Sequence, residues 1–173
     1  MARYAVFLRG VNVGGVNLKM AEVAGVFEDA GFTGVRTVLA SGNVLLDSRA
    51  GAASVREKAQ KALRDAFGYD AWVLAYDLDT VRAISQAYPF EREVEGHHSY
   101  VTFVADDEVL DELAALAADA GPQERIARGD GVLYWQVPRQ ATLDSAIGKT
   151  MGKKRYKATT TTRNLRTLEK LLR

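Results

Sequence analysis

The chain has 173 residues, 47% of them apolar and 26% charged, and a formal net charge of +1. That balance fits one substantial globular domain or two small ones sharing a core, and no run approaches the roughly 20 apolar residues of a membrane helix. Without cysteine, disulfides and thiolate zinc sites are excluded, and with no signal-peptide pattern behind Met1 a cytoplasmic protein is expected.

Tyr4 to Leu8 is apolar on both faces, as a central strand is. It runs into Arg9-Gly10-Val11-Asn12-Val13-Gly14-Gly15-Val16-Asn17-Leu18-Lys19, which concentrates glycine, asparagine and two cations. Met20, Val23, Ala24 and Phe27 then follow helical spacing, and Gly31 is the expected stop. Val35–Leu39 and Asn43–Leu46 read as strands around the turn Ala40-Ser41-Gly42. Val55, Ala59, Ala62, Leu63 and Phe67 form a second apolar stripe, closed by Gly68, and Ala71–Tyr76 is a strand. The order is βαββαβ.

A second round follows. Asp79–Ala87 is a short helix stopped before Pro89, and Tyr100–Ala105 is a strand. Asp106-Asp107-Glu108 supplies a cap and favourable charge to a helix carrying Val109, Leu110, Leu113, Leu116 and Ala117. Gln123–Ala127 and Val132–Val137 form a hairpin through Arg128-Gly129-Asp130-Gly131, where Asp-Gly is a turn signal. Residues 142–152 are moderately helical. Thr159–Thr162 is extended, with Thr161 or Thr162 capping a last helix whose face is Leu165, Leu168, Leu171 and Leu172. Two such rounds predict an α+β protein of two tandem ferredoxin-like (α/β-plait) halves with mostly antiparallel sheets. The halves are expected at 1–90 and 91–173, with the boundary in Glu91–His98.

Charge is unevenly spread. Residues 144–173 hold nine Lys and Arg against Asp144 and Glu169, while the first 143 residues hold 14 basic and 20 acidic side chains. Two readings are open: an electrostatic footprint for nucleic acid or phosphate, or a basic tail packed on an acidic body.

Leu8-Arg9-Gly10, Asn12, Gly14-Gly15, Asn17, Met20, Gly31-Phe32, Ser41-Gly42-Asn43 and Thr162-Arg163-Asn164 together resemble an uncharacterised bacterial family, domain of unknown function 1697. The resemblance runs from the first strand to the last helix. It implies two α/β-plait halves and brings no established activity. The family usually carries Trp after Thr-Arg-Asn, where this chain has Leu165, and often Asn where this chain has Arg166.

The plait topology places the loop after the first strand and the turn between strands two and three at one end of the sheet. The candidate ligand-binding residues are therefore Arg9, Asn12, Gly14, Gly15, Asn17, Lys19, Ser41 and Asn43. Glycine amides, a helix start and a flanking cation suit a phosphate or carboxylate, so a small anionic ligand is the first reading. The spacing is neither a dinucleotide fingerprint nor a Walker loop. Glycines and asparagines serve tight turns equally well, and that structural reading stays open.

Lys149, Lys153, Lys154, Arg155, Lys157 and Arg163, with Tyr156 among them, give an alternative RNA-binding reading. Tyr4, Trp72, Tyr76, Tyr100, Tyr134 and Trp135 are strand aromatics on which bases could stack. A third reading is a protein-interaction or dimerisation module, although no residue pattern indicates an oligomer. No pattern identifies a cofactor, a metal site or a reaction. His97 and His98 are adjacent, so on a strand they face opposite sides and do not chelate together. Ser41 has no base assigned to it, and no zinc-protease or nucleophile-elbow motif occurs.

Overall fold

A computed structural model describes residues 1–9, 17–39, 42–92, 94–139, 156 and 158–173. Residues 142–152, expected to be helical, lie outside the described residues. The chain divides into two units, residues 1–81 with 170–173 and residues 82–169.

In the first unit, β1 (Ala2–Arg9) is buried continuously from Tyr4 to Leu8. A strand apolar on both faces belongs in the middle of a sheet. Here β1 lies between β3 (Asn43–Ser48) and β4 (Trp72–Asp77), while β2 (Thr33–Val38) adds outside β3. The order is β2-β3-β1-β4, antiparallel throughout.

Helices α1 (Met20–Asp29) and α2 (Ala52–Phe67) bury their apolar stripes on one face of this sheet. Val23 and Phe27 from α1, with Val55, Ala59 and Leu63 from α2, pack against Tyr4, Val6, Leu8, Val44 and Leu46. Ala5, Phe7, Leu45 and Leu74, of opposite parity, are buried as well. Gly68 ends α2 at φ +66°, its N–H donating to the Arg64 carbonyl at 3.0 Å. A left-handed C-terminal glycine satisfies carbonyls that the helix leaves open.

Helix α3 (Leu78–Gln86) follows directly. The Asp77 carboxylate accepts from the Thr80 backbone N–H at 2.9 Å and its hydroxyl at 2.8 Å, which holds its pKa below the usual range.

The second unit repeats the sheet order. β5 (His97–Val104) is flanked by β7 (Val132–Pro138) and β8 (Thr160–Asn164), with β6 (Arg125–Arg128) outside β7. Between β5 and β6 run α4 (Asp107–Ala114) and a 3-10 turn (Ala115–Asp119). Asp106 caps α4, its Oδ1 accepting from the Glu108 N–H at 2.9 Å. Leu110 and Leu113 pack with Val104, Leu133, Trp135, Val137 and Tyr156. The chain closes with α5 (Leu165–Leu171), whose Leu165, Leu168 and Leu171 are buried.

Five α-helices and two four-stranded antiparallel sheets are thus present among the described residues, the expected α+β architecture in two halves. Both sheet orders are compatible with an α/β plait. No helix among them is long and apolar enough to cross a membrane.

Local details differ from expectation. β5 starts at His97, three residues early, because His97, His98 and Ser99 pair with Pro138, Val137 and Gln136. Thr161 and Thr162 do not cap the last helix; they lie in β8, paired with Phe103 and Thr102. Asn164 serves instead, its Oδ1 accepting the Arg166 N–H at 2.9 Å. β-branched threonines favour a ladder when a partner strand is available.

Candidate functional site

The end of the first sheet is built by strand register. Phe7 pairs with Asn43 and Arg9 with Trp72, and the Leu8 N–H donates to the Gly42 carbonyl at 2.8 Å. The end of β1 and the β2–β3 turn therefore meet, bringing Arg9 and Asn43 to one edge. Lys19 and Asn17 are exposed on the segment entering α1. Lys19 is extended, and no side chain caps the helix start. Asn12, Gly14, Gly15 and Ser41 lie outside the described residues.

Arg9 is half-buried, and its burial lowers its pKa. Guanidinium is still charged throughout the physiological range, so this edge holds a partly desolvated cation. The same charge interacts more strongly with an anion as the local dielectric falls.

Asn43 is fully buried, and its Nδ2 donates to the Val38 carbonyl at 2.9 Å. This bond ties the two strands across the turn. Gly42 adopts φ +89°, and Leu39 adopts φ +61° although it has a side chain. A leucine in the left-handed region is uncommon and costs roughly 1–3 kcal/mol. Asn43→Ala removes a buried donor and is expected to lower stability by about 1–3 kcal/mol. Urea unfolding measures this; an unchanged midpoint would assign the asparagine no structural part.

For the RNA reading, Lys149, Lys153, Lys154, Arg155 and Lys157 lie outside the described residues. Arg163 is buried, its Nη1 donating to Thr161 Oγ1 at 2.7 Å and the Thr162 carbonyl at 2.9 Å. Several strand aromatics are packing residues. Tyr4, Tyr134 and Trp135 are buried and donate respectively to the Ala50 carbonyl, the Ile84 carbonyl and Thr102 Oγ1. Arg64 covers Trp72, with its guanidinium carbon 4.7 Å from the ring centroid. Burial pushes Tyr76 up to about 12, against the lowering field of Arg56. Tyr100 stacks on Trp135 with centroids 4.5 Å apart. Met1 and Leu39 are the exposed large hydrophobics among the described residues.

His97 and His98 are the first two residues of β5, and both are half-buried. His98 packs on Tyr100 with centroids 5.5 Å apart, and Arg139 and Arg166 act on it electrostatically. Arg139 carried no signal in the sequence, and Arg166 stood out only as the residue where the resembled family often has Asn. Among the described residues no group of three or more His, Asp or Glu is placed to hold a metal ion.

The architecture defines a class: an α+β protein of two units, each with a four-stranded antiparallel sheet of the same order. The chain belongs to the family described as protein of unknown function (DUF1697), whose model matches residues 1–134. That match includes β1, the β2–β3 turn and the segment between β1 and α1. The structure of conserved bacterial protein SP0830 from Streptococcus pneumoniae is similar, with a TM-score of 0.79. Sequence identity is 22%, over 98% of this chain and 96% of that one, and the likeness is one of fold. No curated protein matches the chain.

Proposed function

We propose that the protein binds a small anionic molecule, bearing phosphate or carboxylate, at the Arg9 edge of the first sheet. The observation that carries this reading is the partly desolvated guanidinium of Arg9 beside the β2–β3 turn. Arg9 supplies the charge and a planar fork of donors that grips an oxyanion bidentately. Gly14 and Gly15 contribute backbone amides, Asn12 and Ser41 orienting hydrogen bonds, and Asn17 and Lys19 a polar rim. Asn43 acts through the shape of the turn, since its amide is committed to Val38.

Calorimetric titration with inorganic phosphate and pyrophosphate tests the reading. Arg9→Ala is expected to weaken binding about 10- to 100-fold, the worth of lost charge-assisted hydrogen bonds. Arg9→Lys keeps the charge but not the fork, and should recover only part of the loss. Equal affinity in wild type and Arg9→Ala, with circular dichroism unchanged, would refute the assignment.

A further inference from the structure

The sheet order of the second unit gathers a charged cleft from distant parts of the chain. β5 begins at His97, β7 ends at Pro138 and β8 ends at Asn164. Because β7 and β8 both pair antiparallel with β5, the start of one strand and the ends of two neighbours share an edge. His97, His98, Arg139, Asn164 and Arg166 line one cleft there with Arg92, and its volume is about 430 Å³.

The lining holds three arginines, Arg92, Arg139 and Arg166, against two glutamates, Glu95 and Glu169. Glu169 Oε1 accepts from Arg92 Nε at 3.2 Å and Nη2 at 3.0 Å, and Arg92 Nη1 donates to the Ser85 carbonyl at 2.7 Å. That ion pair is neutral as a unit and forms a wall. Glu95 is exposed, and its backbone carbonyl, not its carboxylate, takes the His97 Nδ1–H at 3.1 Å. Arg166 forms no ion pair among the described residues. Across the cleft, His98 has its pKa lowered first by burial and then by the positive fields of Arg139 and Arg166. Two guanidinium groups thus bear on one imidazole at a lined opening.

We infer that this cleft binds the phosphate group of a small phosphorylated molecule, held by Arg139 and Arg166 with His98 as a further donor. The site belongs to the second unit and stands apart from the Arg9 reading. Guanidinium forks suit phosphate oxygens, and a cleft of this volume takes a small molecule. Val94 and Leu165, also in the lining, offer the ligand body an apolar wall. The groups around His98 are His97 and Tyr100 on β5, Glu95 and Arg92 before it, Arg139 after β7, and Arg166 and Glu169 on α5. In the free protein the arginines oppose the imidazolium. A bound phosphate reverses the local field and favours it, so binding takes up a proton.

The chain has two histidines, so NMR titration of their ring protons in the full chain reads the site directly. It is run with inorganic phosphate, then with chloride or acetate at matched ionic strength. In chloride, His98 is expected to titrate below an ordinary histidine; phosphate should raise it by roughly one pH unit, about tenfold in proton affinity. Arg166→Gln should raise His98 in chloride and abolish the response to phosphate. An equal rise in chloride would mean salt screening of the two arginines and would overturn the inference. No rise with phosphate, or an equal rise with acetate, would also overturn it. A response lost in Arg9→Ala but kept in Arg166→Gln would assign the phosphate to the first unit and refute this site.

Discussion

Phe27→Ala is expected to destabilise the first unit by about 3–5 kcal/mol, the range for deleting a buried phenyl ring. Phe27 is wholly inaccessible on α1 and meets Phe32 edge-on, with centroids 5.8 Å apart and planes at 80°. It sits where Val23, Val55, Ala59 and Leu63 close over Tyr4, Val6 and Leu8. Truncation removes both the transfer free energy of the ring and its packing partners, because a dense interior relaxes only partly into the void. A loss of that size is a large fraction of the roughly 5–15 kcal/mol that holds a domain folded.

The measurement is built into the sequence. The chain's two tryptophans fall one to a unit, Trp72 in the first and Trp135 in the second. Urea unfolding followed by fluorescence in a Trp135→Phe background reads the first unit through Trp72. Phe27→Leu retains much of the volume and should cost less than half as much as Phe27→Ala. Equal costs for the two variants, or a loss below about 1 kcal/mol, would contradict the packing described for α1.

Arg163→Ala is expected to cost the second unit about 2–4 kcal/mol, and its effect is on folding and not on nucleic-acid affinity. The guanidinium is buried at the edge of the second sheet, donating to Thr161 Oγ1 and to the Thr162 carbonyl. Hydrogen bonds from a charged group contribute about 1.5–3 kcal/mol, and Thr161, 2% exposed, has little access to water as a substitute. Removing the side chain also deletes the packing of its aliphatic stem. Urea unfolding followed through Trp135 in a Trp72→Phe background measures the loss. The same variant tests the RNA reading. Unchanged stability, with reduced binding of labelled single-stranded RNA and a shallower salt dependence, would make Arg163 a phosphate contact and reverse the assignment.

The two residues stand for two levels of legibility. Phe27 is readable in advance because Val23 and Phe27 repeat at helical spacing and Gly31 marks the stop. The stripe Val55, Ala59 and Leu63 is legible for the same reason. Asp130-Gly131 announces the β6–β7 hairpin, and Gly131 adopts φ +71°, a conformation open to glycine without a Cβ penalty. Arg163 carries no such mark. Within a run of threonines beside a basic tail it reads as a surface cation, and pairing of β8 with β5 is what turns it inward. Asn43 reads as a ligand group or a turn former from its position beside Ser41-Gly42. Its burial and its bond to Val38 come from closing the turn against β1.

The sequence by itself determined the alternation of strands and helices, the two-half α+β plan and the family to which the chain belongs. The first two rest on periodicity, caps and turn residues, whose causes lie within a few residues of one another, and the family rests on motif residues and the match over residues 1–134. The meeting of Arg9 with the β2–β3 turn was also foreseeable, because the plait connectivity brings those two strand ends together. The tertiary structure alone decided the start of β5 at His97, the inward side of Arg163 and the gathering of Arg92, Arg139 and Arg166 around His98. Each depends on which strand becomes the neighbour of which. That choice is made by burial of whole sheet faces, a free energy summed over residues far apart in the chain.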